Sequence, residues 1–350
     1  MKSLYVKPDI TIREAMKKLS QSGEKCLVVV DQKNTLLGTL SDGDLRKAIL
    51  NGSEVSETIN KIYNSSPTIL FDGEYSVDEV KELFIQQRFD LIPIVNNQRE
   101  LKDILLLKNI LKSGEEEQKE KLNAPVVIMA GGRGTRLEPF TSVLPKPLVP
   151  VDEKPIIEHI IEKFTDVGCN DIFLSVNYKG NIMKAYFDEL KPSYNVSYID
   201  EITPLGTAGS LRYLKGKFNN PFFVTNCDIV VNADYASLMN DHIKNNNDIT
   251  LVASAKEYII PYGTCEINDT GELSHINEKP VYDFLVNTGL YILNPEVLSL
   301  IPKDKFYHIT YLIEEAKNIG KKVGVYPIDD SSWFDVGEWA EYKKTVKSLN

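Results

Sequence analysis

The chain has 350 residues, more than one hydrophobic core normally serves, so two domains are expected. Hydrophobic residues make up 42% and charged residues 26%, an ordinary globular balance, and the formal charge of −10 argues against nucleic acid or an anionic membrane as the main partner. Any phosphate ligand must then be met by local cations, dipoles or a metal. The opening "MKSLYVKPDI" lacks a signal-peptide core, and no run of about 18 apolar residues occurs. Cys26, Cys169, Cys227 and Cys265 fit no metal or disulfide spacing and read as buried free thiols, so the expected location is cytoplasmic.

The first part repeats itself at an offset of about 65 residues. "TIREAMKKL" (11–19) matches "SVDEVKELF" (76–84), each with a hydroxyl N-cap and helical apolar spacing. "CLVVVDQKNTLLGTLSDGDLRKAIL" (26–50) matches "LIPIVNNQRELKDILLLKNIL" (91–111), each reading strand, turn, strand, helix. Residues 1–112 are therefore expected to form one domain of two repeats, 1–60 and 61–112, followed by a charged linker over 113–123. From 124 to 350, buried-strand candidates ("PVVIMA", "DIFLSV", "FFVTNC", "ITLVASA") alternate with amphipathic helices ("KPIIEHIIEKFTDVG", "KGNIMKAYFDEL", "DYASLMNDHIKNN"). That alternation predicts an α/β domain with a mostly parallel central sheet and a ligand beyond the strand ends.

The stretch "MAGGRGTRLEPFTSVLPKPLVPV" (129–151) leaves the first of these strands. It is not a Walker loop, because no Gly-Lys-Ser/Thr follows, and a dinucleotide pattern begun at Gly132 fails at Leu137. Gly131, Gly132 and Gly134 let the backbone approach a polyphosphate, Thr135 follows them, and Arg136 adds a fixed-charge fork. Pro145 and Pro147 hold Lys146 on a stiff segment. On these residues alone, a phosphate cradle and a braced tight turn are equally open.

"GGRGTRL" followed by "PKPL" resembles the signature of the sugar-1-phosphate nucleotidyltransferases, the nucleoside-diphosphate-sugar pyrophosphorylases, and the resemblance runs over 125–345. "EITPLGTAGSL" (201–211) is similar to the family's base-binding loop and "TNCDIV" (225–230) to its first metal motif. "YGTCEI" (262–267), "NEKP" (277–280) and "NTGLY" (287–291) are similar to its sugar-binding segments, and "WFDVGE" (333–338) to its second metal motif. The resemblance implies a Rossmann-like fold and attack of a sugar 1-phosphate on the α-phosphorus of an NTP, with pyrophosphate leaving. Arg136 and Lys146 would balance the developing charge, Asp228 and Asp335 would hold Mg²⁺, and no Ser, Cys or His nucleophile is needed. The histidines (His159, His242, His275, His308) read as surface or packing residues on helices or turns. Cys227 replaces the family's glycine and Glu338 its threonine.

The same resemblance places Glu201, Gly206 and Thr207 at the nucleotide base. A carboxylate accepts the paired N1–H and N2–H₂ donors of guanine, which favours GTP over dTTP or UTP. Gly263, Glu278, Lys279 and Asn287 would surround the sugar phosphate. "GTLSDGDL" (38–45) resembles a CBS domain, implying an adenine nucleotide at Ser41 and Asp44, or alternatively a structural or dimerising role. In the second repeat Leu105 and Lys108 are expected in those places, leaving one standard site. CBS pairs associate, so a homo-oligomer is implied. A CBS pair ahead of this transferase resembles the guanylyltransferases that activate amino-hexose 1-phosphates for legionaminic-acid-type surface sugars, making glucosamine 1-phosphate the expected acceptor by analogy. Heptose, mannose and glucose 1-phosphates are the alternatives. From another class, the chain could be a nucleotide-sensing regulator with a non-catalytic transferase half.

Overall fold

The computed structural model describes residues 4–76, 80, 83–84, 89–106 and 121–337. The linker over 113–120, Lys108, Glu338 and part of the helix expected over 76–84 lie outside the described residues. The chain forms two compact units, the first comprising Met1–Gln118, Ser254–Val286 and Asp329–Ser331, the second Lys119–Ala253, Asn287–Ile328 and Ser332–Asn350.

In the first unit the N-terminal repeat runs β1 (Tyr5–Val6), α1 (Ile12–Ser22), β2 (Cys26–Val30), β3 (Leu36–Ser41) and α2 (Asp42–Leu50). Thr11 and Glu14 form a reciprocal capping box that starts α1, and Gly23, at φ +67°, ends it in a left-handed turn. The second repeat supplies β4 (Leu70–Phe71), β5 (Leu91–Val95) and β6 (Leu101–Leu106). In each repeat the first strand pairs parallel and the third antiparallel to a fully buried middle strand. A register shift falls at Val29/Val30 in one and at Ile94/Val95 in the other. The two turns also exchange backbone hydrogen bonds, Leu36 N–H to Arg99 O (2.8 Å) and Leu101 N–H to Asn34 O (3.0 Å). The weak sequence repeat is thus a structural one.

The second unit is built on a seven-stranded sheet. Its strands are β7 (Val126–Met129), β10 (Asp171–Val176), β11 (Asn195–Asp200), β12 (Phe222–Asn226), β14 (Ile249–Ile259), β17 (Val281–Leu293) and β18 (Val323–Asp329), in the order β11-β10-β7-β12-β17-β14-β18, with β14 counted in the first unit from Ser254 onward and β17 up to Val286. A small hairpin, β8 (Pro150–Val151) and β9 (Lys154–Pro155), precedes the helices, and a ladder of β13 (Ile229–Val231) with β19 (Trp333–Asp335) completes the strands; the hairpin of β15 (Thr264–Ile267) with β16 (Leu273–Asn277) is counted in the first unit. β11, β10, β7 and β12 pair parallel, whereas β17 enters antiparallel to β12.

The helices are α3 (Ile156–Thr165), α4 (Gly180–Leu190), α5 (Tyr235–Lys244) and α6 (Ile309–Asn318). Central β7 is buried on both faces, as a strand covered by helices must be. Val126 and Ile128 face Ile157, Ile160, Phe164 and Leu238 from α3 and α5, while Val127 and Met129 join Leu298, Ile309 and Leu312. Each such side chain contributes about 1.5–3 kcal/mol of burial. Among the described residues no helix is long and apolar enough to cross a membrane. Cys26, Cys169 and Cys227 are buried free thiols, but Cys265 is exposed on its hairpin strand, against expectation. His275 likewise lies on a strand rather than on a helix or turn.

Candidate active site

β7 delivers the chain to the glycine loop, and the Ala130 amide still bonds to Ser175 O (2.8 Å) before the loop departs. The three glycines differ in purpose. A β-carbon on Gly131 would stand 3.2 Å from Glu201 Oε1, and one on Gly134 2.9 Å from the Thr141 methyl and 2.8 Å from Lys146 Cβ. Gly132 opens onto free space. Gly134, at φ +67°, turns the chain into the 3₁₀ turn Thr135–Leu137, and Thr141 Oγ1 donates to its carbonyl (2.9 Å). Arg136 stands exposed on that turn.

Lys146 begins the turn Lys146–Leu148. Its ammonium donates to Asp228 Oδ2 in an ion pair. Burial disfavours the charged amine, but the Asp228 carboxylate more than offsets this, and the pKa lies above the ordinary lysine value. Asp228 follows the end of β12 and precedes β13. The antiparallel register of β13 with β19 sets Ile229 opposite Asp335, and Val336 N–H bonds to Asp228 O (2.8 Å). Asp335 Oδ1 accepts the Gly337 amide (2.7 Å). Its pKa is raised, chiefly by burial and also by neighbouring Asp228, with the Gly337 bond opposing. The buried Cys227 thiol is pushed up to about 12, mainly by desolvation, and stays protonated.

Glu201 follows β11 and is only 8% exposed. Its carboxylate accepts from Ser175 Oγ (2.6 Å) and from the Leu205 amide (2.8 Å), while Asn177 holds its carbonyl (2.7 Å). The loop after it is clamped to the segment before α6. Ala208 and Gly209 donate to Tyr307 O (3.0 and 3.2 Å), and Tyr307 N–H returns to Leu205 O (2.9 Å). A β-carbon on Gly206 would meet Tyr307 O at 2.7 Å, and φ there is +79°. The Thr207 hydroxyl accepts the Ile309 amide (3.0 Å) and lies 3.4 Å from His308 Nδ1. Sequence reasoning missed Ser175, Asn177 and the Tyr307–Ile309 segment. Nothing in their local pattern marks them, because Ser175 and Asn177 meet Glu201, and the backbone of Tyr307–Ile309 meets its loop, only across distant parts of the chain.

The other expected residues divide between the units. Asn287, in the second, holds Tyr291 OH (2.7 Å) and the Gly289 amide (3.0 Å). Gly263, Glu278 and Lys279 lie in the first unit beside β15 and β16, where a β-carbon on Gly263 would come within 2.9 Å of Glu278 Oε2. Lys279 adopts a left-handed φ of +48°. Also in the first unit, Ser41 and Asp44 form the capping box of α2, with Asp44 Oδ2 accepting the Ser41 amide (2.9 Å) and hydroxyl (2.6 Å). The strand registers pair Cys26 with Ser41 and Leu91 with Leu106, so Leu106, not Leu105, occupies the place of Ser41 in the second repeat.

Chemically, Asp228 and Asp335 offer two hard oxygen donors beside two cations, a set that suits a divalent ion sharing its shell with phosphate oxygens. Among the described residues no group of three His, Cys, Asp or Glu forms a ready-made cage.

A nucleotidyl transferase family model matches residues 125–350, and a CBS domain model matches residues 1–51. Mannose-1-phosphate guanyltransferase of Yarrowia lipolytica is 36% identical over 223 residues, covering 61% of this chain and 60% of that protein. The Saccharomyces cerevisiae protein of the same name is 35% identical over 243 residues, 64% of each chain. The chain thus spans somewhat under two thirds of these relatives. The crystal structure of HddC from Yersinia pseudotuberculosis is 26% identical with a TM-score of 0.51, covering 65% of this chain and 100% of that one. A structure of HddC complexed with GMP-PN gives 25% and 0.50, over 65% of this chain and 100% of that one. The chain belongs to the nucleotidyl transferase family and carries a CBS domain at its N-terminus.

Proposed function

We propose that the protein transfers a nucleoside monophosphate from GTP to a hexose or hexosamine 1-phosphate and releases pyrophosphate, with Mg²⁺ as its metal. The convergence of Lys146, Asp228 and Asp335 next to the glycine loop carries this reading. The family generally uses a divalent metal. A sugar-phosphate oxygen forms a bond to the α-phosphorus of the NTP, and the bond to the pyrophosphate oxygen breaks in line. Two polyanions must meet, so positioning and neutralisation supply most of the rate. Gly131, Gly132, Gly134 and Thr135 line the triphosphate with backbone, and Arg136 and Lys146 balance the charge that builds on it. Held by Asp228 and Asp335, Mg²⁺ would supply further neutralisation of phosphate oxygens.

Glu201 reads the base. Each of its oxygens already accepts one donor, and each keeps a second lone pair for guanine N1–H or N2–H₂. The guanyl names of the relatives and the GMP-PN complex of HddC agree with that carboxylate. Gly206 contributes close backbone approach. Thr207, whose hydroxyl is taken by Ile309, serves the nucleotide through its backbone. Gly263, Glu278, Lys279 and Asn287 receive the sugar phosphate. For the acceptor, the relatives favour mannose 1-phosphate and the CBS fusion favours glucosamine 1-phosphate. An adenine nucleotide at Ser41 and Asp44, a homo-oligomer and a cytoplasmic location complete the proposal.

The test is pyrophosphate release with GTP, dTTP and UTP against mannose, glucosamine, glucose and heptose 1-phosphates in Mg²⁺. Turnover with GTP and one hexose derivative is the expected outcome. Silence across the panel would sink the enzyme reading in favour of a nucleotide sensor, and preference for dTTP or UTP would remove the role given to Glu201.

A further inference from the structure

Lys146 serves two places with one side chain. Its stem packs against Gly134, where a β-carbon would lie 2.8 Å from Lys146 Cβ and 3.1 Å from Cγ. Its ammonium ends on Asp228, and the two side chains are nearly buried, 11% and 14% exposed. Gly337 closes the cluster from the other side. A β-carbon there would stand 2.6 Å from Asp228 Oδ2, 2.9 Å from Asp335 Oδ1 and 3.2 Å from Lys146 Nζ. Two carboxylates and one ammonium therefore meet at a single point beside the bare backbone of Gly337.

Carboxylates this close repel unless a cation sits with them. In the protein alone the cation in direct contact with the pair is Lys146, through its ion pair with Asp228, while Arg136 acts on Asp335 from nearby. We infer that Lys146 is the resident counter-ion of the Asp228–Asp335 pair and competes with the divalent cation for it, so that a triphosphate on the glycine loop draws the ammonium away and opens the pair. The inference rests on Asp228 and Asp335 being the metal ligands proposed above. It has a thermodynamic consequence: nucleotide and cation bind with positive coupling, each strengthening the other by the same factor. The cation alone binds weakly, and Lys146 reaches the phosphates only by giving up its carboxylates. Gly337 is required for the arrangement, since any side chain there would push the three groups apart.

The experiment titrates Mn²⁺ alone, without nucleotide, into the full chain and follows free Mn²⁺ by electron paramagnetic resonance. Wild type, Lys146→Met and Asp228→Asn are compared. Lys146→Met is expected to bind Mn²⁺ at least about tenfold tighter than wild type, within the usual range of coupling between sites. Its metal-free melting temperature should fall, because the carboxylates lose their partner, and recover when Mn²⁺ is added. Mn²⁺ binding no tighter in Lys146→Met than in wild type, with binding lost in Asp228→Asn, overturns the inference and leaves the metal assignment standing. Unchanged binding in Asp228→Asn removes the metal assignment itself, and the inference with it. If Lys146→Met fails to fold, Lys146→Gln carries the same comparison.

Discussion

The Thr207 hydroxyl accepts the backbone amide of Ile309, so the loop after Glu201 caps the helix α6 from outside. That helix has no cap of its own, since His308 at the N-cap position makes no side-chain bond to it. Thr207→Val should therefore lower stability by about 1 kcal/mol, the usual worth of a cap, while Thr207→Ser should lose little. Urea denaturation measures this. Equal stabilities for Val and Ser variants would show that the bond contributes nothing.

The glycines of the cradle separate a folding requirement from a ligand requirement. Gly134→Ala meets both a left-handed φ and the Lys146 stem, so it should lower the melting temperature and reduce kcat/KM by about 100-fold through a displaced lysine. Gly132→Ala meets open space and should keep the wild-type melting temperature while raising KM for the nucleotide. A Gly132→Ala protein with unchanged KM would mean that the triphosphate does not approach there.

Removing either carboxylate, by Asp228→Ala or Asp335→Ala, should cost at least about 100-fold in kcat, the scale of one lost electrostatic stabiliser. Initial rates of pyrophosphate release at saturating substrates provide the measurement. Near-normal turnover in both variants would discard the pair as metal ligands.

His242 gives a prediction about pH. It is buried on α5 with Nδ1 2.8 Å from Thr250 Oγ1 and Nε2 3.2 Å from Asn294 Oδ1. Burial holds its pKa below the ordinary 6.5, with Asn294, Asp248 and Asp241 opposing. The unfolded chain then takes up a proton that the native protein resists. The histidine's contribution is intact above 6.5 and is lost as pH falls from there to the native pKa, at no more than about 1.4 kcal/mol per pH unit. His242→Gln should flatten that part of the stability curve. An identical acid slope in variant and wild type would remove His242 as its cause.

Much of this architecture was readable in advance because it follows local rules. "DIFLSV" is strand β10 residue for residue, and "KGNIMKAYFDEL" contains α4, since apolar periodicity and burial on a helix-covered sheet coincide there. The glycine loop and the lysine between prolines were legible for the same reason, each being a local backbone demand. What could not be read was cross-chain geometry. Glu201 was expected at the base by resemblance, but that Ser175 and the Leu205 amide hold its carboxylate in a buried place could not be read. Gly206 was expected at the nucleotide by resemblance, and that it and Gly209 also admit the backbone of Tyr307 and Lys305 could not be read. The assignment of Leu105 to the place of Ser41 slipped by one residue, an error that the strand register exposes.

The short pairing of β13 with β19 has a consequence for how activity is acquired. Asp228 and Asp335 come from distant parts of the chain and become neighbours only through that ladder and the Val336 amide bond to Asp228. Contacts between distant segments carry the largest loop-closure cost and tend to form late. During refolding, the ability to bind a cation should therefore appear after helix content has been regained, and any chain cut before β19 would keep its glycine loop but never complete the acidic pair.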